Sequence, residues 1–302
     1  MGGEAPYSTY QDKVDSAIES GWFRVFLPPS LGGICSQMSE ALSILTESAR
    51  INGSLGWAVN LGAGASWFYP YVSVQMAEKV WGNPQAIVAG SGKIGQLELL
   101  KDGQARLTGF WPRCTAAPWA TWFTLNAQTK DGQVWTCMVP REEVLLHPDA
   151  WQQFGLNQSG TYAVEAVQVL LQAPQVFSTE EARWRSGHFT EQWPFPHFAR
   201  ACMSATFLGL WKGLHGQYLK EAGRSVHHEK MQGLVGEWEH LLYIGVNQAD
   251  ISETELTTVH WAAMDLALIL YRDAGMRIGQ LGHPMHVAWS DFMTAAHHPY
   301  LW

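Results

Sequence analysis

The stretch LELLKDGQARLTGFW, residues 97–111, alternates apolar and polar residues on either side of one Asp-Gly pair at 102–103. A period of two sends one set of side chains to each face of a strand, and Asp-Gly supplies the left-handed backbone of a tight hairpin turn. The same grammar returns in WFTLNAQTKDGQVWTCMV, residues 122–139, which turns on Asp131-Gly132. TYAVEAVQVLL, residues 161–171, reads as a further alternating strand, and AIVAGSG, residues 86–92, as a short strand ending in a glycine turn. Residues 85–177 are therefore predicted to form an antiparallel β domain, a small barrel or sandwich. Within GFWPRCTAAPWATWF, residues 109–123, strand alternation puts Trp111 and Trp122 on opposite faces, so only part of this aromatic surplus is expected to wall a ligand.

Outward from the sheet, the period changes from two to that of a helix. In MSEALSILTESARINGSLGWAV, residues 38–59, Met38, Ala41, Leu42, Leu45 and Ala49 recur on one helical face. Residues 1–84 are read as a helical domain, interrupted by GWFRVFLPPSLGG at 21–33, a turn-rich loop that must double back. After residue 178 the pattern is helical again. HFARACMSATFLGLWKGLHGQYLKEAG, residues 197–223, ends on Gly223 at a C-cap position, and Ser252 with Glu255 opens the next helix at capping-box spacing behind Ile251. The expected fold class is α+β: an N-terminal helical domain (1–84), the β domain (85–177) and a C-terminal helical bundle (178–302).

Composition removes several functions. A formal charge of −8, with no cluster of Lys and Arg, is wrong for a phosphate backbone, so no nucleic-acid partner is expected. No apolar run is long enough to span a bilayer, and MGGEAPYSTYQDK at the start has no leader pattern, so a cytoplasmic protein is expected. Cys35, Cys114, Cys137 and Cys202 have neither metal-ligand nor disulfide-framework spacing. His283, His286, His297 and His298 crowd the tail, but the eleven-residue step from His286 to His297, read on one helix, separates them by over 15 Å, so no metal is expected. Only 15% of residues are charged while 16 are Trp, which predicts covered surface and hence a homo-oligomer.

Several segments in order resemble the acyl-CoA dehydrogenase superfamily. They are ESGWFRVFLPPSLGG (19–33), EKVWGNPQAIVAGSG (78–92), LTGFWPRCTAAPWATWF (107–123), GLNQSGTYAVEAVQVLLQAPQVF (155–177), and ILYRDAG (269–275) followed by HPMHVAWSDFMTAAHH (283–298). AGSGKIG, and Asp291 followed seven residues later by His298, look more like the two-component monooxygenases that use reduced flavin. The chain is accordingly expected to be a shortened member of that branch. The resemblance implies a flavin, FAD or FMN, delivered by a separate flavin reductase, and hydroxylation of a small organic substrate. It places Thr115 near the flavin N5, Trp111 against the ring and His298 near the reactive edge.

These readings give the expected site. Gly90 and Ser91 belong to a turn whose freed N–H groups suit a flavin edge or a phosphate, although such a turn also simply ends a strand. Trp111, Arg113, Cys114 and Thr115 are expected to contact the flavin, with Arg113 standing where the family pattern is apolar. His298, with His297 and Asp291, is the catalytic expectation, because an imidazole can exchange a proton with a phenolic substrate near neutral pH. Two alternatives stay open. One is an acyl-CoA dehydrogenase, which needs a carboxylate base that no motif supplies. The other is a non-catalytic relative acting as a binding or assembly partner, favoured by Ser290 and Arg113.

Overall fold

In a computed structural model, which describes residues 9–180, 182–223, 227–248 and 251–302, the chain runs helices, sheet, helices. The first helices are α1 (Tyr10–Glu19), α2 (Met38–Ile51), α3 (Gly53–Gly64) and α4 (Val74–Trp81). α1 starts at a reciprocal cap between Thr9 and Asp12, and α3 at Asn52, whose side chain accepts the Leu55 N–H. The loop between α1 and α2 doubles back through Gly21 and Gly32, both at positive φ. Arg24 locks it: the buried guanidinium donates to the carbonyls of Gly32 (3.1 Å), Asn83 (2.8 Å), Trp81 (2.7 Å) and Leu31. One side chain thereby ties this loop to the end of α4.

The sheet strands are β1 (Val88–Leu99), β2 (Ala105–Cys114), β3 (Trp122–Gln128), β4 (Val134–Pro140), β5 (Leu145–His147), β6 (Tyr162–Leu171) and β7 (Val176–Phe177). They form a single seven-stranded sheet in the order β5-β6-β2-β1-β3-β4-β7. Both Asp-Gly hairpins are present, with Gly103 at φ 75° and Gly132 at φ 90°. Two expectations are corrected. The segment 86–92 is no short strand with a terminal turn: β1 runs on through Gly90-Ser91-Gly92, and the glycines sit where its register against β3 shifts, between Ser91 and Ile94. The sheet is also not wholly antiparallel, because β1 and β3 pair in parallel. β2 and β3 flank β1 on opposite sides, so the connection between them must pass the end of β1. Trp111 on β2 and Trp122 on β3 thus belong to different strands, and alternation along one strand says nothing about their relative faces.

The C-terminal helices are α5 (Phe195–Ala222), α6 (His228–Gln248), α7 (Glu253–Asp273) and the shorter α8 (Pro284–Ala295). Gly223 caps α5 at φ 76°, and Ser252 accepts the Glu255 N–H at the start of α7 over a buried Ile251. α8 ends at Ala295, which corrects the continuous helix through His297 and His298. One apolar core joins α2 and α3 to this bundle. α2 and α5 approach closely because Gly209 faces the Thr46 carbonyl, where a Cβ would come to 2.2 Å. Phe207 and Phe292 stack at 4.4 Å within the same core. No helix among the described residues is long and apolar enough to cross a membrane.

Candidate functional site

Between the sheet and the helices lies a cavity of about 610 Å³, within the range of small-molecule and cofactor sites. Its sheet wall comes from the parallel pair. Gly90 lies flat against Thr124, where a Cβ would meet Oγ1 at 2.3 Å, so only glycine lets β1 and β3 close here. Ser91 donates its hydroxyl to the Pro112 carbonyl at 3.0 Å. Gly92 has open space where a Cβ would stand, which leaves backbone exposed at the cavity. Thr124, Asn126 and Thr136 complete this polar wall, with the Thr136 hydroxyl donating to Asn126 Oδ1 at 3.1 Å.

The opposite wall is aromatic. Trp67 and Phe68 lie on a short 3-10 segment after α3, and their ring centroids are 5.4 Å apart. Phe195 at the start of α5 packs against Trp67 at 5.1 Å and Tyr300 at 6.1 Å. The Trp67 indole N–H is spent on the Trp193 carbonyl at 2.9 Å, which fixes the ring. Deeper in, α5 contributes Cys202, whose thiol burial holds well above its ordinary range, and Met203, whose sulfur accepts from Asn60 Nδ2 at 3.4 Å. Glu180 is the one carboxylate among the described lining residues, and it is exposed.

His298 closes the cavity from the C-terminal end. Its Nδ1 accepts the Tyr300 N–H at 3.4 Å, so the neutral ring carries its proton on Nε2. Trp57 meets it edge-on at 5.6 Å, and burial lowers its pKa to about 4. At neutral pH this wall therefore presents an uncharged imidazole.

Of the residues expected from sequence, Gly90, Ser91 and His298 line the cavity together, and the others stand elsewhere. Trp111 is fully buried in the sheet's own core, fills the space over Gly95 and Gly109, and donates Nε1–H to the Asn126 carbonyl at 2.9 Å. Cys114 is buried beside it, with its thiol pushed up to about 12 by burial. Thr115 shares a 2.8 Å hydroxyl contact with Thr161, itself 2.8 Å from Ser159. Arg113 points to solvent at φ 65°. His297 is exposed. Asp291 is buried on α8, away from the cavity lining, and accepts the Leu156 N–H at 2.5 Å and the Ser54 N–H. The last contact neutralises the N-terminus of α3, a structural task. The aromatic wall was missed by sequence reading. Its signal was SWFYPY, residues 66–71, denser in rings than the stretch at 109–123. Among the described residues, no group of three or more His, Cys, Asp or Glu is placed to hold a metal ion.

No protein-family model matches the chain. The oxygenase subunit HsaA of a flavin-dependent monooxygenase from Rhodococcus jostii (strain RHA1) is 24% identical over 228 residues, 71% of this chain and 59% of that protein. The oxygenase component of an FADH(2)-dependent resorcinol hydroxylase from Rhizobium sp. (strain MTP-10005) is 24% identical over 229 residues, 70% of this chain and 55% of that protein. The chain thus matches less than two thirds of the length of these relatives. In three dimensions the crystal structure of 3-HSA hydroxylase from Rhodococcus sp. RHA1 superposes with a TM-score of 0.81 at 20% identity, covering 96% of this chain and 85% of that one. The chain has the acyl-CoA dehydrogenase-like fold of flavin-dependent monooxygenase oxygenase components.

Proposed function

We propose that this protein is the oxygenase component of a two-component flavin-dependent monooxygenase, acting on a small organic substrate with reduced flavin supplied by a separate reductase. The observation that carries the reading is the cavity: a glycine-opened polar wall faces an aromatic wall, and a neutral histidine closes the end. A flat, amphipathic ring system fits this arrangement, since Gly92 and Gly64 both leave open space at the lining where any side chain would intrude. The flavin, when bound, supplies the activation of oxygen. Thr124, Asn126 and the β1 backbone would hold the polar edge of the ring, while Trp67 and Phe195 cover apolar surface and exclude water. His298 holds a proton on Nε2 and offers it as a hydrogen-bond donor to a substrate oxygen. The similarity to HsaA and to the resorcinol hydroxylase supports the same reaction class.

The dehydrogenase alternative asks for a carboxylate over the flavin, and exposed Glu180 gives it little support. Self-association fits the apolar side chains that the bundle leaves outside, including Trp261, Leu268 and Tyr271 on α7 and Tyr243 on α6. A cytoplasmic location is part of the same proposal. The test is an anaerobic titration with reduced FMN and FAD, followed by tryptophan fluorescence and flavin absorbance. Saturable binding of at least one is expected, and oxygen admitted afterwards should consume the bound flavin with kinetics distinct from free flavin. Absence of binding by either flavin removes the proposal.

A further inference from the structure

Behind the cavity, and outside its lining, a buried polar chain runs from the bundle to the last residues. His260 on α7 has no exposed surface. Its Nδ1 lies 2.7 Å from the Leu301 carbonyl, and Nε2 lies 3.0 Å from the Ser204 hydroxyl on α5. The Ser204 oxygen in turn accepts Nε1–H of Trp238 on α6 at 2.8 Å. The proton positions follow from the partners. A carbonyl only accepts, so His260 Nδ1 donates. The neutral ring then has an acceptor at Nε2, which takes the Ser204 hydroxyl proton, and the Ser204 oxygen stays free for the Trp238 N–H. Every donor finds an acceptor, as a dry interior requires.

The same few residues are fastened twice more. Trp302 donates its indole N–H to the Ala296 carbonyl at 2.6 Å, and its ring lies 4.5 Å from that of Trp261, the neighbour of His260 on α7. Between these anchors the chain makes a single 3-10 turn, Pro299–Leu301, capped by His298. His298 thus stands three residues before the carbonyl that His260 holds. Without that hold, residues 297–302 would keep only the Trp302 anchor and the hydrogen bonds of their own turn.

We propose that His260 is the positioning residue for His298: its hydrogen bond to the Leu301 carbonyl pins the C-terminal segment and so sets the His298 ring in the cavity wall. The role of His298 toward a substrate rests on the function proposed above, but its placement by His260 does not. The half-buried setting of His298, where burial lowers its pKa to about 4, is the consequence that an experiment can read.

The experiment is a histidine NMR titration of the full chain, with the His298 resonance assigned from its loss in His298→Gln. His260→Leu keeps apolar volume and removes the donor. His260→Asn keeps a donor, Nδ2–H, close to the place of Nδ1–H. In the Leu variant the His298 ring is expected to be freed toward solvent and to titrate about one unit or more higher. The Asn variant is expected to stay near the wild-type value. If His260→Leu does not fold by circular dichroism, His260→Gln, whose amide reaches toward the place of Nε2 rather than Nδ1 and so loses the hold on the Leu301 carbonyl, takes its place with the same upward shift expected. An unchanged His298 titration in a folded variant lacking the Nδ1 donor overturns the proposal, as does an Asn variant that behaves like Leu. The readout needs no flavin, so failure of flavin binding overturns the functional reading alone.

Discussion

Asp291 was expected to be catalytic, and the structure makes it a buried tie between α8, the N-terminus of α3 and the loop at Leu156. Replacement by Ala separates the two roles. Burial is the largest influence on the carboxyl and raises its pKa from 3.8 to about 6, against the opposing pull of the Leu156 and Ser54 N–H groups and of His286. A carboxyl raised on folding contributes stability below its unfolded pKa and loses that contribution as pH climbs through the folded value. With 3.8 unfolded and about 6 folded, proton linkage gives a contribution at pH 5 that exceeds the one at pH 7 by about 1 kcal/mol. Asp291→Ala removes this dependence and leaves two buried N–H groups unpaired, each costing about 1–3 kcal/mol. The variant should therefore be destabilised at both pH values, and by about 1 kcal/mol more at pH 5 than at pH 7. Urea unfolding followed by tryptophan fluorescence at the two pH values measures both differences, with unchanged m-values as the check on two-state behaviour. Equal destabilisation at pH 5 and pH 7 would refute the assignment of a raised, buried carboxyl. Loss of flavin binding without loss of stability would return Asp291 to the site.

Two further outcomes follow from glycine positions. Trp111→Ala should cost about 3–5 kcal/mol by emptying the sheet core. Gly95→Ala, whose new Cβ would fall 2.2 Å from the Trp111 ring, should cost much less in that background than in the wild type; a double-mutant cycle with no coupling would refute this packing. Gly64→Leu enters open space at the end of α3, so thermal stability should hold or rise slightly while flavin or substrate affinity falls about tenfold, and an unchanged dissociation constant would mean that the ring does not reach this wall.

What the sequence disclosed follows from how local each signal is. The hairpins at Asp102-Gly103 and Asp131-Gly132, the Gly223 cap and the Ser252 cap are written in a few adjacent residues, and all appear where they were read. Strand pairing is not local. Nothing within residues 86–92 distinguishes a strand that ends in glycines from one that continues through a register shift, because the partner that decides, Thr124 on β3, lies more than thirty residues away. His298 was singled out through a resemblance that spans the chain, and in the structure it lines the cavity. His260 was not, for its partners Ser204, Trp238 and Leu301 meet only when three helices and the tail pack together. That Trp67 and Phe195 share one wall was missed for the same reason: they lie far apart in the chain and meet, at 5.1 Å between ring centroids, only in the fold.

The central position of β1 accounts for both the success and the error. Because β2 and β3 flank it, the aromatic stretch at 109–123 is a crossover whose two ends serve different layers. Its first end sends Trp111 over Gly95 into the sheet core. Its second end sends Trp122 into a cluster with residues of α4, under the Lys79 ammonium at 5.4 Å. Neither ring is left for a ligand, and the parallel register that this crossover imposes is what brings Gly90 against Thr124 and leaves Gly92 open beside Asn126. Trp111 and Trp122 therefore pack the two sides of this crossover, and the rings that line the cavity include those of residues 67, 68 and 195 instead.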